Sequence, residues 1–299
     1  MRALRLPAVA MLAAMVVAMV AACAPKSGEK PAEAKAPAIG TLLDEAIAGD
    51  NRSSEERARD AFRHPKETLL FFGLEPSMTV VEVWPGGGWY TNILAPALKR
   101  GGGKYIAAGL DPEASARARS AVAALKEKIG ANPPLYGDVV FTVLGDGHEM
   151  APAGAADLVL TFRNVHNWLA AGAAEANFKR FYDALKPGGV LGVVEHRANA
   201  DASEAAEKTT GYVREETVMA LALAAGFEFE AASEINANPK DTKDHPFGVW
   251  TLPPTRRSSA VSGVGDPAFD KAKYEAIGES DRMTLKFRKP LGADGALFE

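Results

Sequence analysis

Reactive side chains are concentrated in two short loops, residues 163–168 and 195–197, each of which directly follows an apolar stretch typical of a buried strand. Each loop contains one histidine, His166 in the first and His196 in the second. An imidazole titrates near neutral pH, so either histidine is a candidate general base. Two plainer roles stay open: His166 could only hydrogen-bond the backbone, and the charged neighbours of His196 could form a structural ion pair.

A third run that could bind a ligand is rich in glycine. An apolar stretch that contains Glu82 leads through Trp84-Pro85-Gly86-Gly87-Gly88 into a predicted helix over Tyr90–Leu98. Glycines let the backbone turn tightly and approach a ligand, and the N–H groups at a helix start suit a negative or polar group. Thr91 stands where a dinucleotide fingerprint needs its third glycine, which disfavours a nicotinamide cofactor. A glycine-rich turn without any ligand is the alternative.

The elements that must position these runs alternate between strand and helix. Strands are predicted at 80–83, 104–109, 139–144, 157–162 and 190–194, and helices at 90–98, 112–129, 178–185 and 214–225. Such alternation is typical of a parallel sheet covered on both faces, in which ligands bind at the carboxyl ends of the strands. Two final strands, 227–235 and 281–288, are predicted to form an antiparallel edge hairpin.

The globular domain is expected to span residues 41–299. Its N-terminal helices, within 41–73, are predicted at 41–48, 53–62 and 66–72 and should pack across the glycine-rich run. The connection 236–279 is far longer than an ordinary loop, and we interpret its first part as a lid over the substrate.

The first 40 residues are predicted to direct export and anchoring. Met1–Ala22 has two arginines before a long apolar run, as an export signal does. It ends in Val20-Ala21-Ala22-Cys23, which resembles a bacterial lipobox, so Cys23 is expected to carry lipid after cleavage. Residues 23–40 are predicted to be a disordered tether. Ala24 after the cysteine favours, by resemblance to Gram-negative lipoproteins, the periplasmic side of the outer membrane.

Composition excludes some classes of partner and site. The 299 residues carry a formal net charge of -4, which provides no basic surface for nucleic acid. The chain has one cysteine, so it cannot form an internal disulfide. His148 and Glu149 could ligate a metal, but no third ligand follows at a known spacing, and no metal site is predicted. No pattern in the sequence indicates an oligomeric interface.

Two of these segments resemble motifs of class I S-adenosylmethionine-dependent methyltransferases. Glu82, Gly86 and Gly88 match the acidic residue and glycines of the first motif, although Trp84 replaces its first glycine. Leu185-Lys186-Pro187-Gly188-Gly189 resembles a sequence that these proteins share before strand five. The region after the tether also resembles a group of predicted exported methyltransferases of proteobacteria, in segments 63–73, 85–96, 195–197, 238–239 and 281–290.

The resemblance implies a fold, a cofactor and a set of site residues. The fold is the Rossmann-like class I methyltransferase fold, a mostly parallel seven-stranded sheet with an antiparallel last strand and helices on both faces. The cofactor is S-adenosyl-L-methionine, with contacts implied for Glu82, Gly86, Gly87, Gly88, Asp111 (ribose), Asp146 (adenine), Arg163 and Asn164. Substrate contacts are expected from His64, Trp89, Tyr90 and Trp168. Alternatives stay open for three of them: a helix N-cap for Asp111, a turn for Asp146 and a solvated helix face for His64.

Two functions are compatible with this pattern. The first is methyl transfer to a small-molecule O or N acceptor, with His166 or His196 as the base and with catalysis mainly by positioning. The second is a non-catalytic periplasmic lipoprotein that binds a small molecule in the same cleft. The compartment supports the second, because S-adenosylmethionine is made in the cytoplasm, and a fold alone does not imply a reaction. The density of reactive side chains at the predicted ligand edge favours the enzyme.

Overall fold

The computed structural model describes residues 37–261 and 263–292, and a seven-stranded sheet lies at its centre. The strands are β1 (Thr79–Val83), β2 (Lys104–Gly109), β3 (Val140–Val143), β4 (Ala156–Phe162), β5 (Leu185–His196), β6 (Glu228–Ser233) and β8 (Arg282–Arg288). Their order is β3-β2-β1-β4-β5-β8-β6. The first five strands in this order are parallel, and β8 is antiparallel to both β5 and β6. The predicted Rossmann-like fold with an antiparallel last strand is confirmed.

Helices surround the sheet, and a short strand β7 (Pro246–Val249) lies outside it. The helices are α1 (Ile39–Ala48), α2 (Ser54–Ala58), α3 (Asp60–Arg63), α4 (Pro65–Phe71), α5 (Thr91–Gly101), α6 (Ala116–Gly130), α7 (Pro133–Tyr136), α8 (Val165–Ala171), α9 (Ala174–Ala184), α10 (Glu204–Thr210), α11 (Glu215–Ala225) and α12 (Lys271–Ile277). Within the described ranges, none of them has the length and hydropathy to cross a bilayer.

The hydrophobic core consists mainly of two clusters, and successive side chains of each strand contribute to them in turn. Val80 packs in one cluster with Leu94 of α5, whereas the adjacent Val81 packs in the other with Phe178 of α9. Successive side chains of a strand point to opposite faces, so the two clusters lie on opposite sides of the sheet. Because both sides are covered, the central strands are mainly apolar, as the sequence indicated, with Glu82 and Thr161 as buried polar exceptions.

Three predicted local structures are wrong. The predicted helix 53–62 is two short helices, α2 and α3, which meet at Arg59. The helix predicted from residue 112 begins at Ala116, because Ser115 caps it by accepting a hydrogen bond from the N–H of Ala118 at 3.0 Å. The segment expected to be a loop after β4 enters helix α8 at Val165.

The connection 236–279 is fixed to the rest of the domain by buried hydrogen bonds. Asn236 Nδ2 donates to Thr68 Oγ1 and to Thr284 Oγ1, each at 3.0 Å. The carboxylate of Asp241 accepts a hydrogen bond from the N–H of Asp281 at 2.8 Å. These contacts join the connection to α4 and to the start of β8.

The register of the sheet brings three strand ends together. Val83 of β1 pairs with Thr161 of β4, and Phe162 pairs with Val194 of β5. Residues that follow β1, β4 and β5 therefore meet at one edge of the sheet, as expected for parallel strands.

Candidate functional site

A cavity of about 390 Å³ lies at the carboxyl ends of β1, β4 and β5. We define the glycine loop as residues 84–88, and its residues 84–87 form the floor of the cavity. The other walls come from the residues after β4, from His196 at the end of β5, from α2 and α3, from the connection 236–279 and from Arg282 of β8. The connection contributes Trp250 and its neighbours, so it forms a wall at the position expected of a lid. Nine of the predicted site residues line this cavity: Glu82, Gly86, Gly87, Trp89, Tyr90, Arg163, Asn164, His166 and His196.

The glycine loop presents bare backbone to the cavity. A Cβ added at Gly86 or Gly87 would meet no atom within 4 Å, whereas one at Gly88 would lie 2.8 Å from Leu125 Cδ1 of α6. Gly86 and Gly88 have φ values of 58° and 82°, which glycine adopts without strain. The first two glycines thus leave room for a ligand, and Gly88 permits close packing of α6.

Two non-glycine residues at this edge also have left-handed backbones. Trp84 follows β1 with φ 47°, and Arg163 follows β4 with φ 62°. Trp84 stands where the methyltransferase motif usually has glycine, and it adopts a conformation that glycine would supply. Its ring packs edge-on against Trp168, with centroids 5.5 Å apart. Such strained positions cluster at functional sites in proteins.

A second cavity, of about 180 Å³, adjoins the first across the glycine loop. Trp84, Pro85, Gly86 and Asn164 line both cavities. The smaller one extends to Leu110, at the end of β2. The two together form a path over the loop from the end of β2 to the ends of β4 and β5.

Glu82 lies beneath the glycine loop, where its carboxylate is buried. Oε2 accepts hydrogen bonds from Tyr105 Oη at 2.5 Å and from Thr91 Oγ1 at 3.0 Å. Burial raises the pKa of Glu82 to about 7, against the opposing effect of the two hydroxyl groups. Glu82 therefore changes its charge near neutral pH.

A buried carboxylate, Glu195, positions His166. Glu195 Oε1 lies 3.0 Å from His166 Nδ1 and accepts a hydrogen bond from the N–H of His196 at 2.8 Å. Oε2 accepts from the N–H groups of Val165, at 2.6 Å, and His166, at 3.3 Å. A carboxylate can only accept, so neutral His166 carries its proton on Nδ1 and keeps a lone pair on Nε2.

His196 lies next to His166, with ring centroids 5.5 Å apart. Its Nδ1 is 2.5 Å from Ser280 Oγ. Burial, and then the proximity of His166 and Arg163, place the pKa of His196 well below its usual range, so it is neutral at neutral pH. The alternative of a structural ion pair beside His196 holds in part: Arg197 forms ion pairs with Asp281, Glu234 and Glu215, but not with Glu195.

Donor atoms of His166, Glu195 and His196 all lie within 4.8 Å of one another, a spacing compatible with a metal ion. Each oxygen of Glu195, however, already accepts two hydrogen bonds. A metal would have to displace some of these bonds. The arrangement therefore favours a carboxylate that orients His166 over a carboxylate that binds metal.

Three arginines pair with one carboxylate on the far wall of the cavity. Glu279 Oε1 lies 2.5 Å from Arg59 Nε, and its Oε2 lies 3.1 Å from Arg63 Nε and also accepts from Arg282 Nη2. Burial alone would raise the pKa of Glu279, but the three arginines lower it to about 2. The sequence does not indicate this cluster, because Glu279 and Arg282 lie more than 200 residues from Arg59 and Arg63 and belong to no recognisable motif.

The aromatic side chains beside the glycine loop support this wall. The guanidinium carbon of Arg63 lies 4.7 Å from the centre of the Trp89 ring, and Trp89 Nε1 donates to the carbonyl of Glu56 at 2.9 Å. Tyr90 stacks on Phe162 with centroids 3.6 Å apart, and burial raises the pKa of Tyr90 to about 12. The predicted substrate contacts Trp89 and Tyr90 thus have structural partners as well as a surface in the cavity.

The remaining predicted site residues do not line the main cavity. Trp168 is fully buried in the core, and the side chain of Asp146 is 98% exposed and pairs with Arg180. His64 joins α3 to α4 with φ 38°. Asp111 does not line the smaller cavity but is the next residue after Leu110, which does. Its Oδ1 accepts from the N–H of Glu113 at 2.8 Å, so it forms a local turn and is not the cap of α6.

A scan of the sequence against models of known protein families gives no match, and a search of curated proteins gives none either. Solved structures do resemble this one. The cyclase SpnF is 18% identical, with 85% of this chain and 94% of that chain covered and a TM-score of 0.54. A provisionally assigned sarcosine dimethylglycine methyltransferase from Galdieria sulphuraria is 14% identical, with 82% and 89% covered and a TM-score of 0.53.

A SAM-dependent methyltransferase from Aquifex aeolicus is 18% identical to this chain, with 66% of this chain and 91% of that chain covered and a TM-score of 0.48. At such identities, likeness between structures concerns the fold. The strand order, the antiparallel last strand and the helices on both faces agree with it. This sheet topology and the two structures with TM-scores of 0.54 and 0.53 show that the chain has the Rossmann-like fold of the class I methyltransferases.

Proposed function

We propose that the protein transfers a methyl group from S-adenosylmethionine to an oxygen or nitrogen atom of a small molecule. One observation carries this proposal: the glycine loop and both candidate bases line the same cavity of about 390 Å³. Cavities of this size at the carboxyl ends of parallel strands bind small molecules in many α/β proteins.

The residues of the glycine loop fit the cofactor. Gly86 and Gly87 have open space where a side chain would stand, so their backbone can approach a ligand. We propose that Asp111, the residue after Leu110 of the smaller cavity, accepts hydrogen bonds from the ribose hydroxyls of the cofactor. We assign further cofactor contacts to Asn164, which lines both cavities. When bound, S-adenosylmethionine would supply the methyl group from its positively charged sulfur, and the neutral thioether that remains is a good leaving group.

His166 is our preferred general base. Its Nδ1 proton is directed to Glu195, which leaves the Nε2 lone pair to take a proton from the acceptor. The charge of Glu195 then stabilises the imidazolium that this transfer produces. His196 is a weaker candidate, because its lowered pKa makes it a poorer proton acceptor.

We also propose that the mature protein is anchored by lipid on Cys23 to the periplasmic side of the envelope. The support is the lipobox-like tetrapeptide at residues 20–23. The export signal, Cys23 and residues 24–36 of the tether lie outside the described residues, whereas Ile39 and Gly40 at its predicted end belong to helix α1. At an external location, the proposed reaction would require that S-adenosylmethionine reach the periplasmic side from the cytoplasm, where it is made.

Transfer of radioactive label tests the proposed reaction. The full chain is incubated with methyl-tritiated S-adenosylmethionine and the small-molecule fraction of a cell extract, and label in new small molecules is counted. We expect transfer by the wild type and by the control Asn167→Ala, an exposed neighbour on α8, and at least 100-fold less by His166→Ala. Tight cofactor binding without any transfer would show a binding protein in place of an enzyme.

A further inference from the structure

The far wall of the cavity carries more positive charge than its own carboxylates balance. Arg59, Arg63, Arg163 and Arg282 line it, and Glu279 is the carboxylate among them. Two other acidic side chains line the cavity, but Glu56 is paired with Lys128 at 3.3 Å, and Glu82 is partly protonated at neutral pH.

Several guanidinium nitrogens in this group lack partners. Arg63 is only 2% exposed, and its Nη2 has no hydrogen-bond partner in the described part of the chain; the same is true of the buried Nη2 of Arg59. The side chain of Arg163 makes no hydrogen bond to any residue among 37–261 and 263–292. Arg163 lines the cavity, so its guanidinium group is open to a ligand, and an anion bound there would also offset the charge of the buried guanidinium groups behind it.

The electrostatics of the arginines agree with this geometry. Burial, and then the charge of Arg163, lower the pKa of Arg63, and burial together with Arg282 lowers the pKa of Arg163 to about 10. Arginine nevertheless stays protonated in proteins, so the repulsion persists until an anion relieves it. The proposed cofactor does not remove the excess, because its one carboxylate can pair with only one of these four arginines, and its sulfonium and ammonium groups add positive charge.

We infer that the methyl acceptor is an anion whose carboxylate or phosphate group binds the guanidinium group of Arg163, in the positive field of the neighbouring Arg59, Arg63 and Arg282. This inference rests on the proposed function. Planar guanidinium groups match both oxyanions by paired hydrogen bonds. The anionic group would occupy the arginine wall, and His166 on the adjoining wall would receive the proton from the reacting oxygen or nitrogen.

Calorimetry on the full chain, saturated with S-adenosylhomocysteine, tests the inference. The probes are benzoate, phenyl phosphate and the uncharged benzamide. We expect both anions to bind at least tenfold more tightly than benzamide. Arg163→Asn should abolish this preference; asparagine is chosen because it tolerates the left-handed backbone of residue 163. The affinity of this variant for S-adenosylhomocysteine is measured as well, because the sequence also predicts a cofactor contact for Arg163. The control is Arg119→Asn, an exposed arginine on α6.

Each other outcome has a distinct meaning. Binding of S-adenosylhomocysteine without any preference for the anions overturns the inference and leaves the proposed function standing. The inference is also overturned, and the proposed function kept, if Arg163→Asn no longer binds S-adenosylhomocysteine but still binds the anions more tightly than benzamide. Arg163 would then bind the cofactor and not the acceptor. Failure to bind S-adenosylhomocysteine overturns the proposed function itself. Should Arg163→Asn not fold, Arg59→Gln, at a side chain 25% exposed, takes its place under the same criteria.

Discussion

Replacing Glu82 by glutamine should stabilise the protein at alkaline pH and change its stability little in acid. The side chain is buried, and its Oε2 accepts hydrogen bonds from Tyr105 and Thr91. The amide oxygen of a glutamine can accept both bonds, but it cannot ionise. The substitution therefore isolates the effect of the charge.

The direction follows from the raised pKa of Glu82. A carboxyl whose pKa is higher in the folded chain binds more protons there, so the free energy of unfolding decreases as pH rises between the two values. This range runs from the ordinary value of 4.5 to about 7. At about 1.4 kcal/mol per pKa unit, the ionised carboxylate costs the wild type about 3 kcal/mol above this range. Glu82→Gln avoids that cost.

Urea unfolding of the wild type and of Glu82→Gln at pH 4.5 and pH 8.5 measures the difference. All other titrating groups cancel in the comparison. We expect the advantage of the variant to grow by about 3 kcal/mol between the two pH values. The exposed Glu75→Gln serves as control and should show no such growth. An advantage of Glu82→Gln that is equal at both pH values would refute the account of Glu82 as a buried carboxyl with a raised pKa.

Two further substitutions test other parts of the account. Glu195→Gln places an amide NH₂ group where the carboxylate accepts hydrogen bonds from N–H donors. Because a hydrogen bond to a charged group is lost, we expect turnover to fall about 10- to 100-fold in steady-state kinetics. Unchanged turnover would show that Glu195 does not contribute to catalysis. Cys23→Ser should abolish incorporation of labelled palmitate and release the protein from the membrane fraction, and continued labelling would contradict lipidation at Cys23.

The strands and their common edge could be predicted from the sequence because local pattern determines them. The run ending at Val83 and the run ending at Phe162 are mainly apolar, and parallel strands place their carboxyl ends together. That geometry is why His166 and His196, 30 residues apart, were expected at one site and are found with ring centroids 5.5 Å apart.

Side-chain direction after a strand was harder to predict, because it depends on the helix that follows. Trp168 was expected in the site, yet it lies on the same face of α8 as Val165, three residues earlier, and that face packs into the core. Once α8 is recognised, the apolar spacing of these two residues indicates burial, while His166 lies on another face.

The arginine wall could not be predicted from local pattern at all. Glu279 and Arg282 lie near the start of β8 and contact α3 only because the connection 236–279 returns the chain to this edge. Ion pairs between such distant residues leave no periodic signal. The inference that the acceptor is an anion therefore depends on the tertiary structure and could not be made from the sequence.

Calorimetric titration of the full chain with S-adenosylhomocysteine tests the central claim most directly, with Gly86→Val compared against Gly102→Val. Both glycines have positive φ, 58° and 79°, and an added Cβ meets no atom within 4 Å at either, but only Gly86 lines the cavity. We predict equal affinity for the wild type and Gly102→Val and at least tenfold weaker binding by Gly86→Val. Absence of binding by the folded wild type, or equal binding by all three proteins, would contradict a cofactor site at the glycine loop.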